Sequence, residues 1–240
     1  MKRAAALFAA VILSSSAFDF CVAGAQAPTS DLASLKTELP LIELPATGAG
    51  TALVVFVSGD GGWAAIEKEM AAEFRSRGAA VIGLDLREYL RRKPRTPDNL
   101  GRDVARVYRA YSDAWGKPRV VLVGFSRGAG MVPFILNRLP ADLDSRLKLT
   151  AFVGLPRTVN MTFHWIDVIR DVSRKDDISV LPELQRAGAG KMVCIFGQEE
   201  ILSGCRAAPA WVKRIELPGG HHLERAYRSL SDSVLSYLPN

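Results

Sequence analysis

The sequence predicts an α/β protein whose mostly parallel sheet is covered by helices on both faces. From residue 52 onward, short runs of consecutive apolar residues alternate with longer amphipathic segments. Such continuous apolar runs are typical of strands that are buried on both faces, as in parallel sheets. Strands that alternate with helices require crossover connections, which place helices on both sides of the sheet. A chain of 240 residues, 48% of them hydrophobic, is large enough for one domain with an extensive core.

The first residues have the pattern of a secretory signal peptide. A basic start, residues 1–3, precedes an apolar run over residues 4–18 that is shorter than a membrane span. Ala23 and Ala25 are small residues at the spacing expected before a cleavage site. We therefore predict a signal peptide over residues 1–25 that is removed from the mature protein. A bacterial signal of this type would direct the protein to the periplasm.

Seven strands and four helices are predicted in the mature chain. Residues 27–31 are polar and are predicted to form a flexible lead. The predicted strands are residues 39–44, 52–57, 79–84, 120–125, 147–155, 192–196 and 212–217. The predicted helices are residues 64–77, residues 98–115, a segment that begins after Ser126, and residues 223–238. Pro40 and Pro45 indicate that the first strand is an edge strand.

Residues 156–190 are too long for a simple crossover between two strands. Ligands of parallel sheets bind beyond the carboxyl ends of the strands. We predict that this segment forms a small lid over that end of the sheet, and a peripheral helix without functional contacts is the alternative.

Residues 119–130, RVVLVGFSRGAG, have the pattern of a nucleophile elbow. An apolar strand runs into Gly124-Phe-Ser126-Arg-Gly128, and a helical segment follows. A sharp turn that lifts a serine hydroxyl clear of a sheet leaves no room for side chains two positions before or after it. The motif predicts Ser126 as a catalytic nucleophile, and a glycine-rich turn without catalysis is the alternative.

Three histidines and one acidic turn supply candidate partners for the serine. A serine hydroxyl is a weak nucleophile until a neighbouring base takes its proton. Behind this type of elbow the partners follow in the order serine, acid, histidine, which disfavours His164. We predict His221 as the base, because it directly follows a glycine pair, and His222 is the alternative. Glu200, in the turn after the sixth predicted strand, is predicted to orient the histidine, with Glu199 as the alternative.

Two main-chain amides are predicted to form an oxyanion hole, which needs N–H donors where the tetrahedral oxygen lies. The amide of Arg127, directly after the nucleophile, is one predicted donor. The glycine-rich turn at residues 58–63 supplies the other, from Asp60 or Gly61. The side chain of Asp60 could instead cap the helix that follows. This chemistry needs no metal and no organic cofactor.

Removal of the signal peptide changes the cysteine count. Cys21 leaves with the signal, so that Cys194 and Cys205 remain as an even pair in an oxidising compartment. We predict a disulfide between them, which would hold the acidic turn in place. A buried free Cys194 is the alternative, because free cysteine is a common core residue.

The chain is basic, with a formal net charge of +6, and many of its cations lie in residues 87–109. We hypothesise that this surface contacts anionic lipid, a solvated basic face being the alternative, and we expect no nucleic-acid partner. The oligomeric state is not predicted. The cations of this basic surface are Arg87, Arg91, Arg92, Lys93, Arg95, Arg102, Arg106 and Arg109.

Several motifs together resemble the VirJ/AcvB family of bacterial virulence proteins. They are SGDGGW at 58–63, the GFSRG elbow, PF at 133–134, NRLP at 137–140, CIFGQEE at 194–200 with the later cysteine, and PGGHH at 218–222. The resemblance runs from about residue 53 to the end of the chain. It implies an α/β-hydrolase fold over residues 26–240. For AcvB-like members it also implies periplasmic hydrolysis of lysyl-phosphatidylglycerol, with release of lysine.

The residues and the resemblance together predict a periplasmic serine esterase that cleaves the aminoacyl ester of lysyl-phosphatidylglycerol. The alternatives are a carboxylesterase or thioesterase of other specificity, and a non-catalytic binding or secretion-accessory protein on the same fold. The family pattern has Phe and Asp where this chain has Arg127 and Gly130, and an Asp near Leu202. These departures bear on substrate choice, because a lost carboxylate could have held a cationic aminoacyl group.

Overall fold

The computed structural model describes residues 29–164 and 174–237. The predicted signal peptide, residues 1–25, and the middle of the predicted lid, residues 165–173, lie outside the described residues. Within the described ranges, no helix is both long enough and apolar enough to cross a membrane.

The described residues form nine strands and eight α-helices. The strands are β1 Leu41–Leu44, β2 Ala52–Val57, β3 Ala80–Leu84, β4 Arg119–Phe125, β5 Leu147–Val153, β6 Thr158–Val159, β7 Ile178–Ser179, β8 Met192–Gly197 and β9 Lys213–Leu217. The helices are α1 Thr29–Glu38, α2 Ala65–Ser76, α3 Leu86–Arg92, α4 Pro97–Ala114, α5 Arg127–Leu136, α6 Ala141–Asp144, α7 Val180–Arg186 and α8 Tyr227–Ser236. Short 3₁₀ turns occur at Gly204–Ala207 and Leu223–Arg225.

Seven of the strands form one sheet in the order β1-β3-β2-β4-β5-β8-β9. β1 is an edge strand and pairs antiparallel with β3, and all the other neighbours in this sheet are parallel. The predicted α/β architecture, the seven strands and the edge position of the first strand are therefore confirmed. β6 and β7 form a separate antiparallel pair within the predicted lid segment.

The sheet is buried on both faces, as the apolar runs predicted. Along β2, Leu53, Val55 and Val57 belong to one core, while Val54 and Phe56 belong to the other. The first core is closed by residues of α1, α3, α4, α5, α6 and α7, and the second by residues of α2 and α8. Since successive strand side chains point to opposite faces, a strand covered on both sides must be apolar throughout.

Two terminal segments differ from the predictions. Residues 29–31 are the first turn of α1 and not a flexible lead, because Leu35 and Leu39 at the end of this helix are buried in the core. The last helix begins at Tyr227 and not at residue 223, because Leu223 and Glu224 have positive φ angles of 53° and 45°, which interrupt an α-helix. The helices α3, α6 and α7 were not predicted.

The predicted basic surface contains several ion pairs. Arg91 lies 2.8 Å from Glu88, Arg106 lies 2.8 Å from Glu38, and Arg109 lies 2.7 Å from Asp142. Arg95 is buried, with its guanidinium 3.1 Å from the carboxylate of Asp103 and stacked on the Tyr89 ring. The net positive potential of this surface is therefore smaller than its count of arginines suggests, and its contact with anionic lipid stays a prediction.

Candidate active site

Ser126 lies on the sharp turn between β4 and α5. Its backbone has φ 52° and ψ −122°, outside the conformations that residues with a side chain normally adopt. The flanking glycines allow this turn: a Cβ atom on Gly124 would lie 2.5 Å from the carbonyl oxygen of Gly128. A Cβ atom on Gly128 would lie 2.2 Å from the carbonyl oxygen of Val57. Glycine is therefore required at both positions, because the backbone packs too closely there for a side chain, as the elbow motif predicted.

The structure brings the predicted serine, histidine and glutamate together. Nε2 of His221 lies 2.8 Å from Oγ of Ser126, and Nδ1 of His221 lies 2.6 Å from Oε1 of Glu200. These contacts fit a neutral imidazole that carries its proton on Nδ1: Nδ1–H donates to the carboxylate, and the serine hydroxyl donates to Nε2. Glu200 is largely buried, whereas the imidazole is 39% exposed.

The acidic turn and the histidine loop are positioned by neighbouring strands. β8 and β9 are parallel, so the segments that follow them emerge side by side at the same edge of the sheet. The amide of Gly197 donates to Oε2 of Glu200 at 2.7 Å, which fixes the second carboxylate oxygen. The amide of Glu199 donates to the carbonyl of Gly219 at 3.1 Å, which ties the acidic turn to the histidine loop.

The alternative acid, Glu199, and the alternative base, His222, lie outside the hydrogen-bonded chain that joins Ser126, His221 and Glu200. Glu199 is exposed on the same turn as Glu200. His222 is also exposed, and its carbonyl accepts a hydrogen bond from the Tyr227 hydroxyl at 3.3 Å. The ring of Phe125 lies 5.3 Å from the His221 ring and 6.3 Å from the His222 ring. Of the two histidines of this loop, His221 is the one whose ring is hydrogen-bonded to both Ser126 and Glu200 in the described structure.

The pKa of the Glu200 carboxyl lies below its ordinary value. Burial raises the pKa, but the hydrogen bonds from His221 and from the Gly197 amide lower it by more. The carboxylate is therefore ionised at neutral pH, the state that orients an imidazole and stabilises an imidazolium.

We expect Glu200→Gln to lower kcat about 10⁴-fold, because an amide holds the imidazole in the wrong tautomer. The substitution should also lower stability in a pH-dependent way. A depressed pKa stabilises the folded state above the ordinary pKa of 4.5, and this stabilisation is lost as the pH falls through the folded-state value. Ester hydrolysis and denaturant unfolding between pH 7 and pH 3 measure both effects. Glu199→Gln is the matched control with p-nitrophenyl acetate, an ester without a cationic acyl group, and an equal loss of kcat in that variant would contradict the assignment.

The glycine-rich turn between β2 and α2 is held by two buried or half-buried carboxylates. Glu67 is 1% exposed and accepts hydrogen bonds from the amides of Gly59 and Ala64, each at 3.1 Å. Asp85 accepts from the amide of Trp63 at 3.1 Å. Burial raises the pKa of Glu67. These contacts fix the course of the turn beside Ser126.

The two predicted oxyanion donors lie in the same cavity as the nucleophile. Arg127 is the first residue of α5, and Asp60 and Gly61 lie in the glycine-rich turn. The carboxylate of Asp60 accepts from Nη1 of Arg127 at 2.7 Å, while the N-cap of α2 is Ala64. The side chain of Asp60 is thus engaged with Arg127, not with the amino end of α2. The roles of the two amides as donors remain a prediction.

A cavity of about 800 Å³ opens above Ser126 at the carboxyl ends of the strands. Its wall includes Phe125, Leu155 and Pro156, and its mouth includes Ile201 and Leu202. These last two side chains are 77% and 76% exposed, although they directly follow Glu200. The cavity is also lined by the charged or titratable side chains of Asp60, Glu67, Arg127, Arg174, Asp177, Glu199, Glu200, His221 and His222.

Cys194 and Cys205 form the predicted disulfide. Cys194 is a buried residue of β8, and Cys205 lies in the 3₁₀ turn after the acidic segment. The amide of Gly204 also donates to the carbonyl of Leu155 at 2.7 Å. The acidic turn is therefore anchored at both ends, by the strand before it and by the disulfide after it.

The described part of the predicted lid packs on α5 beside the cavity. A Cβ atom on Gly130 would lie 2.3 Å from a methyl group of Val159 and 2.8 Å from the ring of Pro156. The glycine at a position where the family pattern has Asp therefore makes room for this segment. Asn160 donates to Asp177 at 3.2 Å, which joins the two described parts of the lid. His164 lies in the predicted lid segment and is not among the described partners of Ser126.

The fold and the arrangement at the cavity define an α/β-hydrolase fold: a mostly parallel sheet, a serine on the strand-to-helix turn, and an acid and a histidine after later strands. The chain belongs to the VirJ family of bacterial virulence proteins, whose family model matches residues 51–240. Among curated proteins, no sequence matches this chain.

Solved structures share the fold at low sequence identity. MenH from S. aureus is 11% identical with a TM-score of 0.59, over 82% of this chain and 97% of that chain. A lipase-esterase related protein from Clostridium acetobutylicum is 15% identical with a TM-score of 0.59, over 84% and 100%. Proline iminopeptidase from Mycobacterium smegmatis is 14% identical with a TM-score of 0.55, over 82% and 94%. Similarity at this level of identity establishes the fold alone.

Proposed function

We propose that this protein is a serine hydrolase that cleaves an ester through an acyl-enzyme intermediate. The observation that carries the proposal is the hydrogen-bonded chain from Oγ of Ser126 through His221 to Glu200, with Ser126 in the strained backbone conformation of a nucleophile elbow. The arrangement supplies a nucleophile, a base and an orienting acid at hydrogen-bond distances. The names of structurally similar proteins, which include a lipase-esterase related protein and an esterase domain from Rhodothermus marinus, are in keeping with it.

In the first half of the reaction, Oγ of Ser126 attacks the acyl carbon and its proton passes to Nε2 of His221. The carbonyl oxygen becomes an oxyanion, which the amides of Arg127 and of Asp60 or Gly61 stabilise. The imidazolium, paired with Glu200, returns the proton to the leaving alcohol as the ester bond breaks. In the second half, water gives a proton to the imidazole and attacks the acyl-serine, which releases the acid and restores the hydroxyl.

We propose lysyl-phosphatidylglycerol as the substrate, cleaved at the ester between lysine and the glycerol headgroup. The resemblance to AcvB-like members of the family supports this choice. The carboxylates of Asp177 and Glu199 in the cavity lining also suit a cationic acyl group, because opposite charges attract. We further propose a periplasmic location, with which the disulfide is compatible.

Vesicles of phosphatidylglycerol that contain lysyl-phosphatidylglycerol test the substrate. We expect the purified protein to release lysine and phosphatidylglycerol in equal amounts, and Ser126→Ala to release neither. Hydrolysis of p-nitrophenyl acetate without release of lysine would contradict the proposed substrate and favour another ester or thioester. It would leave the assignment as a serine hydrolase unchanged. If folded wild-type protein hydrolyses neither substrate, the result would instead favour a non-catalytic binding or secretion-accessory protein.

A lipid substrate must reach the cavity from a membrane surface, and Ile201 and Leu202 stand exposed at the cavity mouth. We expect the double variant Ile201→Ser, Leu202→Ser to lose at least about tenfold more activity on vesicles than on p-nitrophenyl acetate. Burial of one aliphatic side chain in lipid contributes roughly 1.5 kcal/mol, about tenfold in binding. Trp211 is also exposed but precedes β9, at the other end of the sheet, so that Trp211→Ser is the matched control. Equal losses on both substrates would contradict this role.

A further inference from the structure

The guanidinium of Arg127 joins three segments around the nucleophile. Its Nη1 lies 2.7 Å from Oδ1 of Asp60, in the glycine-rich turn. Its Nε donates to the carbonyl of Asn160 at 3.1 Å. Its Nη2 donates to the same carbonyl and, at 2.8 Å, to that of Thr162. The side chain is only 7% exposed. A guanidinium presents five N–H groups in a rigid plane, so that one side chain fixes several acceptors at set angles.

The contact with Asp60 also pairs a carboxylate of the cavity lining with a cation, close to where the ester carbonyl of a substrate would react. Asp60 lines the cavity with Ser126, and its side chain is 29% exposed. The tetrahedral intermediate places negative charge on an oxygen that faces the amides of the same turn. Loss of the ion pair with Arg127 would increase the repulsion between the Asp60 carboxylate and that oxygen, and the repulsion is stronger in a partly desolvated cavity than in water.

We propose that the side chain of Arg127 is a positioning residue for ester hydrolysis, which holds the carboxylate of Asp60 in an ion pair and directs its charge away from the oxyanion. The inference rests on the proposed function, because it assigns a role within the same site. The role is separate from that of the Arg127 amide, since substitution of the side chain leaves the amide in place. The ion pair assigns a role to the Asp60 carboxylate that is separate from the main-chain amides of Asp60 and Gly61, one of which is the proposed second oxyanion donor.

A double-mutant cycle with p-nitrophenyl acetate tests the proposal. We expect Arg127→Met to lower kcat about 100-fold with little change in KM, the loss that small displacements of catalytic groups cause. Asp60→Asn should lower kcat less than Arg127→Met does. In the double variant, we expect kcat to recover about tenfold from the value of Arg127→Met, because the carboxylate that Arg127 neutralises is gone. A residual loss should remain, since the carbonyls of Asn160 and Thr162 still lack their donor.

Arg95→Met is the matched control, because Arg95 forms another buried ion pair, with Asp103, and does not line the cavity. We expect it to lower the melting temperature without a comparable loss of kcat. If Arg127→Met does not fold, Arg127→Gln with and without Asp60→Asn gives the same cycle, since glutamine keeps an N–H donor for the buried carbonyls but carries no charge.

The outcomes distinguish this inference from the proposed function. Recovery in the double variant supports the positioning role. An active wild type whose Arg127→Met variant has full kcat, or a double variant that is no faster than Arg127→Met, would overturn the inference and leave the serine hydrolase standing. A folded wild type that neither hydrolyses the ester nor reacts with a fluorophosphonate would overturn the proposed function together with the inference.

Discussion

Ser126→Ala should lower the kcat for p-nitrophenyl acetate about 10⁶-fold, the loss that removal of the nucleophile causes in serine hydrolases. The alanine side chain leaves the backbone turn and the cavity in place, but the protein no longer supplies a nucleophile for the acyl carbon. The residual rate reflects oxyanion stabilisation and binding alone. Steady-state hydrolysis and thermal unfolding of the same samples measure the effect.

Ser203→Ala is the matched control for this experiment, because Ser203 lines the same cavity but caps the 3₁₀ turn that contains Cys205. We expect its kcat to stay within about tenfold of the wild-type value, because loss of a turn cap costs only about 1 kcal/mol of stability. A Ser126→Ala variant that is folded and retains more than one per cent of wild-type activity would rule out Ser126 as the nucleophile.

His221→Ala should cost about as much as loss of the serine, because nucleophile and base act as one unit. The adjacent histidine offers an unusually close comparison: His222 lies in the same loop and lines the same cavity, but its described hydrogen bond is made by its carbonyl. We therefore expect His222→Ala to lower kcat by less than about tenfold, a range typical of a cavity residue without a proton-transfer role.

Measurement of kcat and KM for both variants, with their melting temperatures, distinguishes the two histidines. A large kcat loss in His222→Ala and a small one in His221→Ala would reverse the assignment. Equal small losses in both would mean that neither imidazole takes the proton of Ser126.

The parts of the site that follow from chain order were predictable from the sequence. The elbow demands glycines at fixed positions, so its pattern is visible in a single chain. Because the carboxyl ends of parallel strands meet at one edge, residues that follow different strands converge there. The pairing of Glu200 and His221 with Ser126 was therefore predictable from the sequence, with Glu199 and His222 as the alternatives. The disulfide was predictable from the count of cysteines that remain after removal of the predicted signal peptide.

The contacts that depend on side-chain packing were not predictable in this way. In the sequence, Glu67 looks like an ordinary residue of the first turn of α2. A glutamate at the third helical position is one half of a capping box, but the sequence does not show that its carboxylate is buried. The pairing of Arg127 with Asp60 joins residues 67 positions apart and has no periodic signature. The helix α1 was not predicted because residues 27–31 were interpreted as a polar lead. The core that buries the apolar side chain of Leu35 is not visible in the sequence.

Reaction with a fluorophosphonate, followed by peptide mapping, tests whether Ser126 is an activated nucleophile. The reagent phosphonylates a serine only where a base and an oxyanion hole activate it, so the readout does not depend on the identity of the natural substrate. We expect one adduct per folded chain, on the peptide that contains Ser126, and none in Ser126→Ala. Folded wild-type protein that carries no adduct, or that carries it on a different serine, would contradict the account.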